Sequence, residues 1–312
     1  MRPPGSDRAI TRRAFLHGAG GAAAGAAGVS GSALAEPFAT LVTRYRVSPP
    51  RWPAGLSVKL AVIADLHACE PWMGRERIRR IVASTNALGA DCVLLLGDYV
   101  AARGMMRYAD AIAEKDWARE LGRLKAPLGV HAVLGNHDWW ADIDVQRSRR
   151  GTPAASLALQ DAGIPVYGNL SVRLEKDGGA FWLAGLGDQE AFWSAEARRQ
   201  RPFRRFDGSD DLDGTLGQVT DDEPVILMAH EPDIFPRVPD RVALTVAGHT
   251  HGGQIRILGF APIVPSRFGN RYVYGHVVEH NRNLIVSGGL GCSGVPVRLG
   301  APPEIVMIEL AA

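Results

Sequence analysis

Short apolar runs recur along this chain, and most of them stop at a small polar cluster. Lys59–Ala64, Asp91–Leu96, Gly129–Leu134, Val225–Ala229 and Val242–Ala247 each read as a buried strand. Between the first two, apolar residues at Ile78, Ile81, Val82 and Leu88 keep a helical period over Arg75–Leu88. A second helix is predicted over Ala109–Leu124. Strand–helix–strand alternation argues for a mixed α/β layer with parallel pairing. The second half is less regular. Val172–Leu174 and Phe181–Leu186 read as paired strands around Asp177-Gly178-Gly179, and residues 194–224 as a loop or surface helix. Further strands are expected near Leu41–Val47, Tyr272–Val277, Leu284–Ser287 and Glu304–Leu310. No repeat of fixed period is visible.

The chemistry lies where the five buried strands end. The clusters there are Asp65-Leu66-His67, Gly97-Asp98, Gly135-Asn136-His137-Asp138, His230, and Gly248-His249-Thr250-His251. In open α/β sheets, ligands bind beyond the carboxyl ends of the strands, so loops distant in sequence can converge there. Carboxylate, imidazole and amide oxygen together suit borderline divalent metals such as Mn, Fe or Zn. Asp65 and His67 are two residues apart and are expected to project to one side, as are His249 and His251. Glycines at 97, 135, 248 and 252 allow tight turns close to the ions. With Asp98 as a bridge, two ions would stand roughly 3.5–4 Å apart. Each cluster alone is weak: a lone His is more often structural, and Gly-Asp often marks a turn. Five in this order, each after an apolar strand, form a specific pattern.

Composition changes the picture in one respect. At 312 residues, 46% hydrophobic and 22% charged, the chain is no disordered, collagenous or disulfide-stapled protein. Its net charge of +2 is unevenly spread. Residues 1–35 hold four arginines and one acid; the remainder holds 31 basic and 32 acidic residues. A mature chain at −1 has no basic track for nucleic acid, which is not expected as a partner. The leader itself is ordered. Thr11-Arg12-Arg13-Ala14-Phe15-Leu16 precedes an uncharged Gly/Ala run, 18–35, ending in Ala33-Leu34-Ala35 before Glu36-Pro37. This resembles a Tat export signal. The expected organisation is a signal over 1–35, a Pro-rich extension over 36–56 and a catalytic domain over 57–312. The resemblance implies the Tat translocase as a partner and a periplasmic or envelope location, with peripheral membrane contact if the leader is retained. Cys69, Cys92 and Cys292 have no CxxC spacing, so neither a disulfide framework nor a thiolate zinc site is expected.

Taken together, D-x-H, G-D, G-N-H-D, H and G-H-x-H resemble the calcineurin-like metallophosphoesterases. His251-Gly252-Gly253-Gln254-Ile255, Pro265–Gly269 and Gly289–Glu304 are similar to the bacterial YkuE/YaeI-type, phosphodiesterase-like subgroup. The resemblance implies a four-layer α/β sandwich with two facing mixed sheets. It implies two divalent ions, one held by Asp65, His67, Asp98 and His251 and the other by Asp98, Asn136, His230 and His249. It gives His137 the task of protonating the leaving oxygen and Asp138 that of orienting His137 through a hydrogen bond. The implied reaction is attack of a metal-activated hydroxide on a phosphodiester or phosphomonoester, borne by a small molecule or a lipid. Cleavage of a UDP-2,3-diacylglucosamine-type pyrophosphate, or metal binding without catalysis in the envelope, are the competing readings.

Four further segments could shape the substrate site. Trp139-Trp140 reads equally as an aromatic wall or as packing beneath the loop. Cys69–Met73 is a candidate rim. The basic run 197–205 is followed by Asp207, Asp210, Asp211 and Asp213, which favours a self-neutralising loop. Gly288–Gly294 precedes no helical pattern, so a tight turn beside the site is expected rather than a phosphate cradle.

Overall fold

The computed structural model describes residues 33–194 and 206–312. Nearly all of the predicted leader and the basic run 197–205 lie outside the described residues. Two mixed sheets form the frame. The first orders its strands Leu41–Val47, Glu304–Leu310, Val58–Ile63, Cys92–Leu95 and Val130–Ala132. Pairing is parallel except between Glu304–Leu310 and Val58–Ile63. The second orders Gly275–Glu279, Arg282–Val286, Val242–Ala247, Val225–Met228, Gly179–Gly185 and Leu170–Lys176. Its three inner pairings are parallel and its two outer ones antiparallel.

The sheets face each other through one apolar layer. Leu60, Val62 and Leu94 from the first meet Phe181, Leu183, Ile226, Met228, Leu244 and Val246 from the second. All are essentially inaccessible, and burying each side chain contributes about 1.5–3 kcal/mol. The inner strands Cys92–Leu95, Val225–Met228 and Val242–Ala247 are apolar without alternation because both of their faces are covered. Helices Arg75–Asn86, Glu114–Leu121 and Ala154–Asp161 cover the outer face of the first sheet through Ile78, Ile81, Trp117, Leu121 and Leu159. Among the described residues, the outer face of the second is covered by the short helix Leu212–Leu216 and the 3-10 turn Pro232–Arg237. The result is an α/β/β/α stack.

Several sequence expectations shift. The helix expected over Ala109–Leu124 is confined to Glu114–Leu121, following a two-residue strand at Asp110–Ala111. The strand expected from Tyr272 begins at Gly275, since Gly269–Tyr272 forms a 3-10 turn. Gly135-Asn136-His137-Asp138 is no loop: Gly135 caps a helix, Asn136–Ala141. The helix Ala154–Asp161 has no counterpart in the sequence reading. The three cysteines are buried and unpaired, and Cys92 lies in the apolar layer between the sheets. At the leader's end, residues 33–35 are helical, and the Ala33 carbonyl accepts from Arg298 N at 3.1 Å.

Candidate metal centre

The parallel strands of both sheets end at a common edge, and the two edges meet there. Asp65 and His67 follow Val58–Ile63, Asp98 follows Cys92–Leu95, and Asn136 follows Val130–Ala132. His230 follows Val225–Met228, while His249 and His251 follow Val242–Ala247. All seven are buried. Five of them hold a left-handed backbone: Asp65 (φ 53°), His67 (47°), Asp98 (58°), His249 (69°) and His251 (54°). Each such non-glycine conformation costs of order 1–3 kcal/mol and survives only where its surroundings over-determine it. They do so here. Asp65 N, His67 N and Ala68 N donate to Gly97 O, Asp98 O and Tyr99 O at 3.0, 2.9 and 2.8 Å, zipping two strand ends together. His249 N donates to the Asp65 carboxylate at 2.9 Å, tying the second sheet to the first. It is this backbone geometry, not strand alternation, that aims Asp65 and His67 at one point. Gly135 has to be glycine for room, because a Cβ there would lie 2.4 Å from Asp98 Oδ1 and 2.6 Å from His230 Cε1.

Two donor groups result. Asp65, His67 and His251 offer ligand atoms within 4.8 Å of one another, and so do Asp98, His230 and His249. Asn136 Oδ1 joins the second group, 3.0 Å from His249 Nδ1 and 3.2 Å from His230 Nε2. Asp98 stands between the groups. Its Oδ1 accepts from His137 N at 2.8 Å, at the start of helix Asn136–Ala141. Its Oδ2 is left 3.6 Å from His67 Nε2 and 3.4 Å from His230 Nε2.

The donors fit divalent cations. His67 and His230 give Nδ1–H to the Val100 and Leu96 carbonyls at 2.9 and 2.6 Å, which directs Nε2 of each ring inward. His230 Nε2 then faces three acceptors, Asn136 Oδ1, Asp98 Oδ2 and His249 Nδ1, the last at 3.3 Å. Acceptors that converge in a buried site require a positive charge among them. In the metal-free chain a proton supplies it. Burial lowers the His230 pKa, but the Asp98 charge and hydrogen bond outweigh burial and hold the ring well above its ordinary value. Burial likewise raises Asp98, and the His230 charge and hydrogen bond win there too, keeping that carboxyl well below its ordinary range. In the first group, His251 Nε2 lies 3.0 Å from His67 Nε2 with the rings stacked. Arg298 Nη2 donates to His251 Nδ1 at 3.1 Å, so His251 carries its proton on Nε2 and gives it to His67. Each group thus holds one proton where an ion would go: metal binding would expel the extra proton of His230, whereas neutral His251 would have to move its proton off Nε2.

A model of the calcineurin-like phosphoesterase family matches residues 58–253, which include all seven of these residues. The chain belongs to the calcineurin-like phosphoesterase family. It is 27% identical over 309 residues to the uncharacterized metallophosphoesterase YkuE of Bacillus subtilis, covering 96% of this chain and 98% of that one. It is 29% identical over 261 residues to a zebrafish transmembrane protein with a metallophosphoesterase domain, covering 81% of this chain and 53% of that one. The chain therefore spans about half the length of the zebrafish relative. Among solved structures it resembles a dimetal phosphatase from Danio rerio, with a TM-score of 0.38, 16% identity, and coverage of 75% and 88% of the two chains. As a member of this family, the protein is a metallophosphoesterase.

Around the phosphoesterase centre the structure redistributes some roles. His137 is half-buried, with its ring edge-on to His67 at 5.1 Å and to Trp140 at 4.9 Å. Burial lowers its pKa to about 4 against the pull of Asp98, so the free site holds a neutral ring. Asp138 does not orient that ring. Its Oδ2 accepts from Asp98 N and Gly135 N at 2.8 and 2.9 Å, and its Oδ1 from Tyr99 N and Val100 N at 2.9 and 3.0 Å. Both oxygens are filled by backbone donors, so Asp138 braces the Asp98 loop against the helix cap.

The tryptophan pair separates. Trp139 packs against the helix-side core and Phe192, while Trp140 lies beside His137 and stacks on Phe206 at 4.7 Å, with Trp193 also 4.7 Å away. Cys69 and Met73 turn inward to packing rather than forming a rim. The 288–294 turn does lie beside the site: Gly291 N donates to Asp65 O at 2.7 Å, and a Cβ on Gly289 would meet the Asp65 side chain.

Three residues that sequence reasoning passed over are fully buried here. One is Arg298. The other two are Asp188 and Glu231, which lie within 4.8 Å of His230, each with one oxygen lacking a hydrogen-bond partner. Burial, then repulsion by Glu231, holds Asp188 well above the usual carboxylate range. Only Glu231, adjacent to His230, had a positional cue in the sequence.

Proposed function

We propose that this protein is an exported hydrolase of phosphodiester bonds, with phosphomonoesters as poorer substrates. It acts with two divalent ions, of Mn, Fe or Zn character, held by Asp65, His67, Asp98 and His251 and by Asp98, Asn136, His230 and His249. The observation that carries this reading is Asp98 Oδ2, aimed between the two donor groups by the helix cap that holds Oδ1. When bound, such ions supply Lewis-acid polarisation of the phosphoryl oxygens and acidify water.

The protein's own groups do the rest. The strained strand ends fix the donors, so little reorganisation accompanies the reaction. His137, at the mouth beside His67, is positioned to hydrogen-bond the phosphoryl group and pass a proton to the leaving oxygen, an effect of about 10²–10⁴-fold. Its lowered pKa means that it carries that proton only once an anionic phosphoryl group stands next to it. Trp140, Trp193 and Phe206 give the leaving group an aromatic surface next to His137. Preference for diesters is supported by that surface, which is available for the second substituent that a monoester lacks. Export is supported by the twin-arginine, Gly/Ala and Ala-Leu-Ala order of the leader.

The test is hydrolysis of bis-p-nitrophenyl phosphate and p-nitrophenyl phosphate by metal-stripped protein resupplied with Mn, Zn, Fe or Mg. The diester is expected to turn over faster. Asp98→Asn is expected to abolish turnover while leaving the circular dichroism spectrum unchanged. Absence of hydrolysis with every metal would point to metal binding without catalysis. A folded, fully active Asp98→Asn variant would remove Asp98 from the centre.

A further inference from the structure

The four most exposed large apolar side chains among the described residues lie within seven positions of one another. Ile257, Leu258, Phe260 and Ile263 are 60%, 103%, 61% and 82% exposed. Single exposed apolar residues are ordinary on a protein surface, but a cluster of this kind marks an interaction site. The segment is built, not frayed. Ile257 N donates to Phe260 O at 2.9 Å and Phe260 N returns to Ile257 O at 3.0 Å. Leu258 and Gly259 form the corner with φ of 51° and 86°. Two consecutive positive φ values make a tight hairpin turn, and here a leucine accepts the strained conformation at the very tip.

Both feet of this hairpin stand on the metal centre. Gln254 N donates to His251 O at 2.9 Å, and the His249 ring hydrogen-bonds to the Pro265 carbonyl. The seven steps along the chain from His251 to Leu258 span at most about 25 Å of extended chain.

Charge and chain geometry select the occupant. From Arg241 through Val278 the sequence holds four arginines and no aspartate or glutamate. Arg267 and Arg271 pair with Asp233 and Glu279 at 3.1 and 2.8 Å. Arg256, at the hairpin's root, meets only the Gly259 carbonyl and the Tyr274 ring, with no carboxylate partner among the described residues. A protruding apolar tip above a cationic base matches an anionic bilayer, into which aliphatic side chains insert while guanidinium groups stay at the headgroups. The last described residues of the leader, 33–35, lie on the same side. Arg298 N donates to Ala33 O and Arg256 N to Leu299 O, so the end of the uncharged Gly/Ala run and the hairpin's root flank consecutive residues.

We propose that the 254–265 hairpin inserts Ile257, Leu258, Phe260 and Ile263 into the interfacial layer of an anionic lipid bilayer. The phosphoesterase centre is thereby held at the membrane surface, facing phosphoesters borne on lipids. The docking itself stands independently of the diester assignment.

The test uses the full chain with Leu258→Cys carrying an NBD fluorophore; the three native cysteines are buried. A matched chain carries the label at Leu157→Cys, which is exposed on helix Ala154–Asp161. On vesicles of phosphatidylcholine mixed with phosphatidylglycerol, the label at 258 should shift to the blue, brighten severalfold and be quenched by brominated acyl chains. Neutral vesicles should do less, and the label at 157 should not respond. Adding Phe260→Ser and Ile263→Ser should raise the lipid needed for half-maximal response about tenfold or more. Hydrolysis of a soluble aryl phosphodiester should not change. Three results would overturn the proposal. One is silence at 258 on both vesicles. Another is equal responses at 258 and 157, which would assign binding to the leader or to adsorption. The third is a lipid-independent shift that grows with protein concentration, which would assign the hairpin to a second copy of the chain.

Discussion

Asp138→Asn separates a bracing carboxylate from a catalytic one. In the structure, both Asp138 oxygens are filled, each by two backbone N–H donors. Asparagine keeps one acceptor oxygen and turns an NH₂ group toward two of those donors. Two charge-assisted bonds are lost and two buried N–H groups are left unpaired. At about 1.5–3 kcal/mol for each, the expected loss is about 3–6 kcal/mol, against a total of about 5–15 kcal/mol for a folded protein. The assay is urea unfolding followed by far-ultraviolet circular dichroism. Chelator is present for wild type and variant alike, so that metal occupancy does not contribute. The comparison belongs at pH 8, because burial, reinforced by the Asp98 charge, raises the Asp138 carboxyl to about 7. His137→Ala is the reference and should stay within about 1 kcal/mol, its ring being half-buried with no role in the brace. If Asp138→Asn unfolds within about 1 kcal/mol of wild type while losing activity, the bracing role is wrong and the orienting role stands.

Two further perturbations probe the centre. Gly135→Ala drives a Cβ against Asp98 Oδ1 and His230 and should cut hydrolysis by about 10²-fold or more in a protein that still folds; near-normal turnover would mean the centre is looser than it looks. Metal affinity should rise with pH, because the raised His230 pKa means that a proton occupies Nε2 and must leave before an ion binds. Titration calorimetry in buffers of different ionisation enthalpy should therefore detect proton release; identical heats in all buffers would refute it.

The inner strands were legible because burial on both faces makes them continuous apolar runs, which end where the backbone turns into the site. Glu304–Leu310 and Val242–Ala247 fall where that pattern puts them, and the edge strand Leu41–Val47 also lies where expected although it is mostly exposed and carries Arg44 and Arg46. The helix Ala154–Asp161 was missed because its residues, largely alanine and leucine, carry little polar contrast to mark a face. The candidate ligands were legible through residue type at strand ends. The brace was not: a carboxylate beside a histidine in sequence suggests a contact that the helix cap prevents. Arg298 was invisible because its partners are carbonyl oxygens and one ring nitrogen, contributed by Gly291, Ala301 and His251.

The sequence by itself determined the inventory: five polar clusters, each tied to the end of an apolar strand, and a leader whose charge differs from the rest of the chain. Local patterning suffices for this, since strand burial and turn chemistry are read within a few residues. Tertiary structure alone decided that three clusters from one sheet and two from another meet at a single edge. It also decided that Asp98 lies between two donor groups and that an apolar hairpin projects from the same loop. Those are contacts between residues as much as 184 positions apart, as with Asp65 and His249, and only the packing of two sheets across a shared apolar layer brings them together.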